Sequence, residues 1–320
     1  MKEKVVSINQ LVKRYGEKLA VDYFSLDVYK GEILGLLGPN GSGKTTTINC
    51  LLSLLKYDKG DIKVFGEKIK GDSYDIKKRI GVVMQNVAVV DTLTVEENID
   101  FFCGLYVKNK KERKQDVEEA LEFTGLKDFR KYRPKKLSGG LLRRLNIACG
   151  IAHKPELVIF DEPTVAVDPQ SRNAILEGIR KMNEDGTTVI YTSHYMEEVE
   201  ELCSRIVIMD HGKNVVSGTS AELKASLKNR EVIKIGLPKK KGEESYIAKE
   251  ILSGILDINH IYEAKEIGSE LVIKCDGGEH NLIHILNYLE EKHIAFGRII
   301  TELPTLNDVF LEVTGKELRD

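Results

Sequence analysis

Two stretches of this chain have residue types and spacing suited to chemistry. Residues 38–46 read GPNGSGKTT, in which Gly38, Gly43, Lys44 and Thr45 have the spacing of a phosphate-binding loop. Glycines let successive backbone N–H groups converge on phosphate oxygens. The Lys44 ammonium brings a point charge to the outer phosphates, and the Thr45 hydroxyl is a ligand for Mg²⁺. Residues 157–162 read LVIFDE and end an apolar run on two adjacent carboxylates, Asp161 and Glu162. Asp161 is placed to hold Mg²⁺ through water. Glu162 points elsewhere and is suited to polarise an attacking water as a general base. A guanine reader is poorly represented, because its nearest match, NKKE at 109–112, is imperfect and lies in a charged stretch. Transfer of phosphate to a small molecule has no need of Glu162. Hydrolysis of ATP is the chemistry that these residues fit best.

Such residues need a scaffold that brings distant strand ends together. The segments KVVSI, FSLDVY and EILGLL read as short strands broken by Gly16 and Gly31. EILGLLG is an apolar run ending in glycine, as a central parallel strand requires. Ile48, Leu51, Leu52 and Leu55 follow at helical spacing. Strand, glycine loop and helix in that order open an α/β domain. Further buried strands are expected at 80–84, 157–160, 187–192 and 205–210. Helices are expected at about 94–106, 113–124, 139–153, 170–183 and 195–203. The helical stretch of about 86–155 reads as an inserted subdomain of a domain covering 1–225. Residues 226–320 read as a separate α+β domain. Its strands fall at 231–237, 259–265, 269–275 and 294–302, and its helices at 245–254, 280–292 and 305–314. That order is βαββαβ, the ferredoxin-like split unit. Its histidines, His260, His280, His284 and His293, lack metal-ligand spacing, and KKKGEE at 239–244 reads as a solvated hairpin or loop.

Bulk properties exclude several classes. The 320 residues carry a formal charge of −2 with both signs interspersed, so no basic footprint for nucleic acid is present. The five cysteines, Cys50, Cys103, Cys149, Cys203 and Cys275, are scattered and odd in number. They read as small core residues in a reducing compartment rather than a disulfide framework or zinc site. The N-terminus shows no apolar signal region, and no run reaches the ~18–20 apolar residues of a spanning helix.

A second phosphate-type feature lies about a hundred residues after the first. Residues 137–142 read LSGGLL, followed by Arg143 and Arg144, and a serine with two glycines opening an apolar helix is an anion-binding terminus. LSGG ahead of LLRRLNIACGIAHKPELVIFDEP resembles the ABC ATPases over nearly all of residues 4–225. The resemblance implies a RecA-like core, an N-terminal antiparallel β subdomain and a helical subdomain. It implies an ATP site formed by Gly38, Pro39, Asn40, Gly41, Ser42, Gly43, Lys44, Thr45 and Thr46, with Tyr15 stacking on adenine. Gln85 matches a glutamine that contacts Mg²⁺ and the attacking water, so Thr45, Gln85 and Asp161 form the implied metal set. His194 in TSH matches a histidine on the γ-phosphate, and Asp168 in VAVD matches an aspartate at the dimer interface. Lys44, Gln85, Glu162 and His194 are the implied catalytic residues. In that family two chains pair head to tail, so Ser138, Gly139 and Gly140 are implied to cap the partner's ATP in trans. Two positions depart from the pattern. Leu141 replaces the usual Gln and cannot hydrogen-bond to a sugar, and Ala166 stands where Gly is frequent, a minor steric change.

DEPTVAVDPQSR, TSHYMEEVEELCSRIVIMDHGK and LPTLNDVFLEVTGKELRD resemble ATP-binding subunits of ABC-2-type exporters. The resemblance implies a cytoplasmic subunit on the inner face of the cell membrane. Its implied partners are a second, identical ATPase subunit and a separate integral-membrane permease docking beside Gln85 and Val87–Val90. The alternative is a soluble ABC-family ATPase that regulates translation or a DNA-associated partner. The short interval without sustained heptads between loop and signature, the single cassette and the near-neutral charge speak against it.

Overall fold

The computed structural model describes residues 2–227, 230–238, 249–276, 280–302 and 304–315. The chain divides into two compact units, one built on residues up to Ser220 and one on Ala221–Glu312.

In the first unit the chain runs β1 (Lys4–Tyr15), β2 (Lys18–Tyr29), β3 (Ile33–Leu37), α1 (Lys44–Leu51), β4 (Lys59–Val64), β5 (Glu67–Lys68), α2 (Tyr74–Lys77) and β6 (Ile80–Val83). Three helices follow, α3 (Val95–Gly104), α4 (Lys110–Phe123) and α5 (Gly139–Ile151). The chain then returns through β7 (Leu157–Asp161), α6 (Pro169–Glu184), β8 (Thr188–Thr192), α7 (Met196–Leu202), β9 (Arg205–Asp210) and β10 (Lys213–Gly218). An antiparallel sheet has the order β2-β1-β4-β5, and the second sheet has the order β10-β9-β3-β8-β7-β6. In the latter, β9, β3, β8, β7 and β6 are parallel and only β10 runs against its neighbour.

Every residue of β3, β7 and β8 is buried. This is why their sequences are continuous apolar runs rather than alternating ones. The three strands expected on either side of Gly16 and Gly31 are β1, β2 and β3, but the first two run to 12 residues each, well beyond KVVSI and FSLDVY. Register shifts between Ile8 and Leu11 let β1 bend while keeping its pairing. The apolar/polar pattern slips at such a bulge, so short runs are all that the sequence displays. β4 and β5 lack an apolar run of their own and were not expected from sequence.

The helical subdomain closes on its own core, in which Val95, Ile99, Cys103, Val117, Leu121, Leu145 and Ala148 are buried together. Helix α3 starts on a capping box, with Glu97 N donating to Thr94 Oγ1 at 3.3 Å and Thr94 N donating to Glu97 Oε2 at 2.8 Å. The NKKE stretch has a structural task. Asn109 caps α4 by accepting from Lys111 N and Glu112 N at 2.9 and 3.4 Å. All five cysteines are buried.

The second unit begins with α8 (Ser220–Ala225), whose first residue closes the first unit. It continues with β11 (Arg230–Gly236), α9 (Lys249–Leu256), β12 (Ile261–Ile267), β13 (Glu270–Asp276), α10 (Asn281–Glu291), β14 (Ile299–Glu302) and α11 (Leu306–Thr314). The sheet order is β12-β13-β11-β14 with all pairs antiparallel, the split βαββαβ arrangement. Ile233, Ile235, Leu271, Ile273, Ile285 and Leu289 form its core. The last strand is shorter than its apolar content suggests. Ile294 N bonds back to Leu289 O at 2.9 Å and wraps the end of α10, so 294–298 is a connection. Residues 239–248, which include the expected hairpin and the first turn of the expected 245–254 helix, lie outside the described residues. His260, His280 and His293 occupy left-handed corners with φ of 71, 79 and 56°.

Candidate active site

Four adjacent parallel strands deliver the chemistry to one edge of the sheet. β3 runs into the glycine loop, β8 into Ser193 and His194, β7 into Asp161 and Glu162, and β6 into Met84 and Gln85. Ligands in open α/β sheets bind outside such carboxyl ends. A cavity of about 580 Å³ opens there, lined by Tyr15, the loop from Asn40 to Thr46, Gln85, Glu162 and His194.

The loop glycines are fixed by different demands. A Cβ on Gly38 would collide with the Met209 carbonyl oxygen and with Ser42 Oγ, and one on Gly43 would sit 2.5 Å from the Ala20 carbonyl oxygen. Gly41 has open space around it but adopts φ of 82°, a conformation that L side chains resist. Lys44 is buried and its Nζ donates to the Gly38 carbonyl at 2.7 Å. Burial pulls its ammonium below the ordinary lysine pKa, while Glu162 and Asp161 act in the opposite sense. Ser42 Oγ is buried with no hydrogen-bond partner among the described residues. Thr45 and half-exposed Tyr15 face the cavity.

The two carboxylates diverge as their order suggests. Asp161 ends β7, is buried, and accepts from Thr192 Oγ1 at 2.7 Å. Glu162 adopts φ of 50°, and its carboxylate has other partners than that of Asp161. A left-handed glutamate costs ~1–2 kcal/mol, so it persists only where neighbours determine it. Here Thr192 supplies both Oγ1 and carbonyl acceptors to Glu162 N at 3.0 and 3.2 Å. Gln85 Nε2 donates to Glu162 Oε2 at 2.9 Å, and His194 Nδ1 lies 3.7 Å from Glu162 Oε1.

Ser138, Gly139 and Gly140 do not line this cavity. Ser138 caps α5 by accepting from Leu141 N at 3.3 Å, and Ser138 and Gly139 are exposed. Gly140 is buried because α5 meets the start of α6: a Cβ there would lie 2.5 Å from Ser171 Oγ and 2.9 Å from Asp168 Oδ2. Asp168 caps α6 through Ser171 N at 2.9 Å, and these bonds hold its carboxyl below the usual range. The aspartate and the signature glycine therefore touch within one chain. Leu141 is half-buried and packs on the helical core. Ala166 is more than a small steric change, since it adopts φ of 58°, a conformation in which glycine is free of strain.

Two residues of the site were given no role from sequence. Arg143 is buried, and its guanidinium reaches the backbone on both sides of the Gln85 and Glu162 positions. Burial pulls it below its ordinary pKa, opposed chiefly by Asp161. Glu198 is buried in the first turn of α7. Its Oε2 accepts from Thr164, Tyr191 and Ser193 hydroxyls at 2.9, 2.6 and 2.8 Å, and its Oε1 meets Arg172 Nε at 2.6 Å. Neither residue belongs to an isolated motif, so only the packed structure reveals them. Replacing Glu198 by Ala removes the acceptor of three buried hydroxyls and leaves Arg172 only the more distant Glu197 at 3.9 Å. The expected loss is about 3 kcal/mol, read as a lower midpoint in denaturant unfolding. A shift below about 0.5 kcal/mol, the surface-substitution range, would contradict it.

Groups able to hold phosphates and to accept a proton converge in this cavity, and the fold and site define the class of P-loop nucleoside triphosphatases. The model for the ABC transporter family matches residues 21–165, and that for the C-terminal domain of DrrA1-3-like ATP-binding proteins matches residues 218–314. The linearmycin resistance ATP-binding protein of Bacillus subtilis is 39% identical over 99% of this chain and 100% of its own length. The daunorubicin/doxorubicin resistance ATP-binding protein of Streptomyces peucetius is 33% identical over 99% and 94%, and the Nod factor export ATP-binding protein I of Ralstonia nicotianae is 32% identical over 99% and 95%. Among solved structures, a dimeric ATP-binding cassette in a post-hydrolysis state with ADP and Pi superposes with a TM-score of 0.61 at 28% identity, over 67% of this chain and 98% of that one. The chain belongs to the ABC transporter ATP-binding protein family, and it binds and hydrolyses ATP.

Proposed function

We propose that this chain pairs head to tail with a second, identical copy on the cytoplasmic face of the cell membrane and drives a separate integral-membrane permease of the ABC-2 export type. One observation carries the pairing: the loop, Glu162 and His194 share a cavity that Ser138, Gly139 and Gly140 do not reach. A helix N-terminus with exposed Ser138 and Gly139 then has its phosphate on another chain. Asp168, packed on Gly140, stands at that interface.

In this reading Tyr15 stacks on adenine and residues 38–46 hold the phosphates. Gln85 and His194 orient the attacking water and the γ-phosphate, and Glu162 takes the proton from that water. Thr45, Gln85 and Asp161 offer hydroxyl, amide and carboxylate oxygens, the hard donors that Mg²⁺ prefers, and buried Ser42 Oγ, without a partner among the described residues, suits a site built for oxyanions. Bound Mg²⁺ would neutralise charge developing on the β- and γ-oxygens.

Export is supported by relatives named for drug resistance and Nod factor export. Among the described residues no helix is long and apolar enough to cross a membrane, so a transport role requires a spanning partner. Val87, Phe101 and Leu105 are exposed on the helical subdomain and offer apolar surface to such a partner. Tagged full-length chain, isolated in mild detergent from cells that carry it natively, is expected to retain a multi-spanning membrane protein in fixed ratio. Recovery only from the soluble fraction, with no spanning protein attached, would overturn the transport assignment.

A further inference from the structure

Arg143 lies five residues after Ser138 on the same helix, about 7–8 Å along its axis. Its guanidinium has five N–H donors, and all five meet backbone carbonyls. Nη1 donates to Met84 and Gln85 at 2.9 and 2.8 Å. Nη2 donates to Asp161 and Glu162 at 3.3 and 2.8 Å, and Nε donates to Pro163 at 2.7 Å. One planar group therefore joins the ends of β6 and β7 to α5. It grips the main chain of the residues carrying Gln85 and Glu162 without touching their side chains. Asn146, one turn further along α5, adds a second tie to the same loop through Ala88 N at 3.0 Å and Met84 O at 3.4 Å.

We infer that Arg143 is a positioning residue through which seating of a second chain's nucleotide on the Ser138 helix sets Gln85 and Glu162 for hydrolysis in its own chain. A rigid fork saturated by five carbonyls transmits a small shift of α5 to both strand ends at once. A lysine has three donors on a flexible stem and cannot grip both ends in that geometry. The inference rests on the head-to-tail pairing proposed above.

The test is Arg143→Lys, alone and combined with Glu162→Gln. Binding of a fluorescent ATP analogue to the isolated chain, and ATP-driven pairing of the double variant in size-exclusion chromatography, are expected to stay within about threefold of their parents. Turnover is expected to fall roughly 10- to 100-fold in kcat with KM nearly unchanged, the cost of misplacing reacting groups by a fraction of an ångström. A kcat within twofold of wild type per folded molecule, with only a lower melting temperature, would reduce Arg143 to a stabilising residue and end the proposal. If Glu162→Gln alone does not pair with ATP, the pairing fails and takes the inference with it. Pairing with unchanged Arg143→Lys turnover removes the inference alone. Should Arg143→Lys not fold, Asn146→Ala decides: a severalfold lower kcat at constant KM supports the tie, and an unchanged kcat overturns it.

Discussion

Glu162→Gln is expected to stop ATP turnover while leaving the chain able to bind ATP and to collect as an ATP-bound pair. The substitution keeps the shape of the side chain and removes its capacity to accept a proton. The left-handed backbone at residue 162 is held by main-chain bonds to Thr192 and Arg143, so the new amide inherits the same position. Its oxygen can still accept from Gln85 Nε2, which lies 2.9 Å from Glu162 Oε2. Loss of a general base costs roughly 10²- to 10⁴-fold, to be read in steady-state phosphate release. Size-exclusion chromatography with ATP and Mg²⁺ reads the pairing, since in the proposed pair the nucleotide held between two chains is no longer consumed. Turnover within tenfold of wild type would show that another group activates the water. Monomer alone under those conditions would remove the pairing of isolated chains.

Ser138→Arg is expected to be nearly as damaging to turnover, although the residue lies outside the chain's own nucleotide cavity. In the proposed pair, a long cation at the exposed start of α5 obstructs the approach of the other copy's triphosphate and displaces the N–H donors that would meet it. Removing one such preorganised donor costs ~10²- to 10³-fold in comparable sites, and a steric block costs at least as much. The effect on folding is small by comparison, about 1 kcal/mol for the lost cap. ATP-analogue binding by the single chain should therefore be nearly unchanged. The contrast is the informative part, because intact binding with lost turnover is what a residue working in trans produces. Activity equal to wild type would dismiss the signature role. Loss of binding in step with turnover would place Ser138 in the chain's own site.

The chemistry was legible wherever local sequence and local structure coincide. A glycine loop must be contiguous to wrap one phosphate group, and a buried parallel strand must be apolar along its length. GPNGSGKTT and LVIFDE therefore announced the elements that carry them, the turn from β3 into α1 and strand β7. The βαββαβ order of the second unit was visible for the same reason. Where the pattern slips, the sequence misleads. Bulges hide the length of β1 and β2, and Ile294 and Phe296 looked like strand residues but cover the end of α10 and its core. Asn109 matched part of a base-reading motif and is a helix cap.

By itself, the sequence determined a P-loop ATPase with two phosphate-type features on different segments, because those motifs depend only on neighbours along the chain. The tertiary structure alone decided which groups share a cavity and which do not. It set β3, β8, β7 and β6 side by side, left Ser138 outside their site, and packed Gly140 against Asp168. It also recruited Arg143 and Glu198 to hold strand ends whose positions no single segment can fix. Such roles arise from contacts between residues tens of positions apart, and hydrogen-bond saturation of a buried group leaves no periodic mark in the sequence.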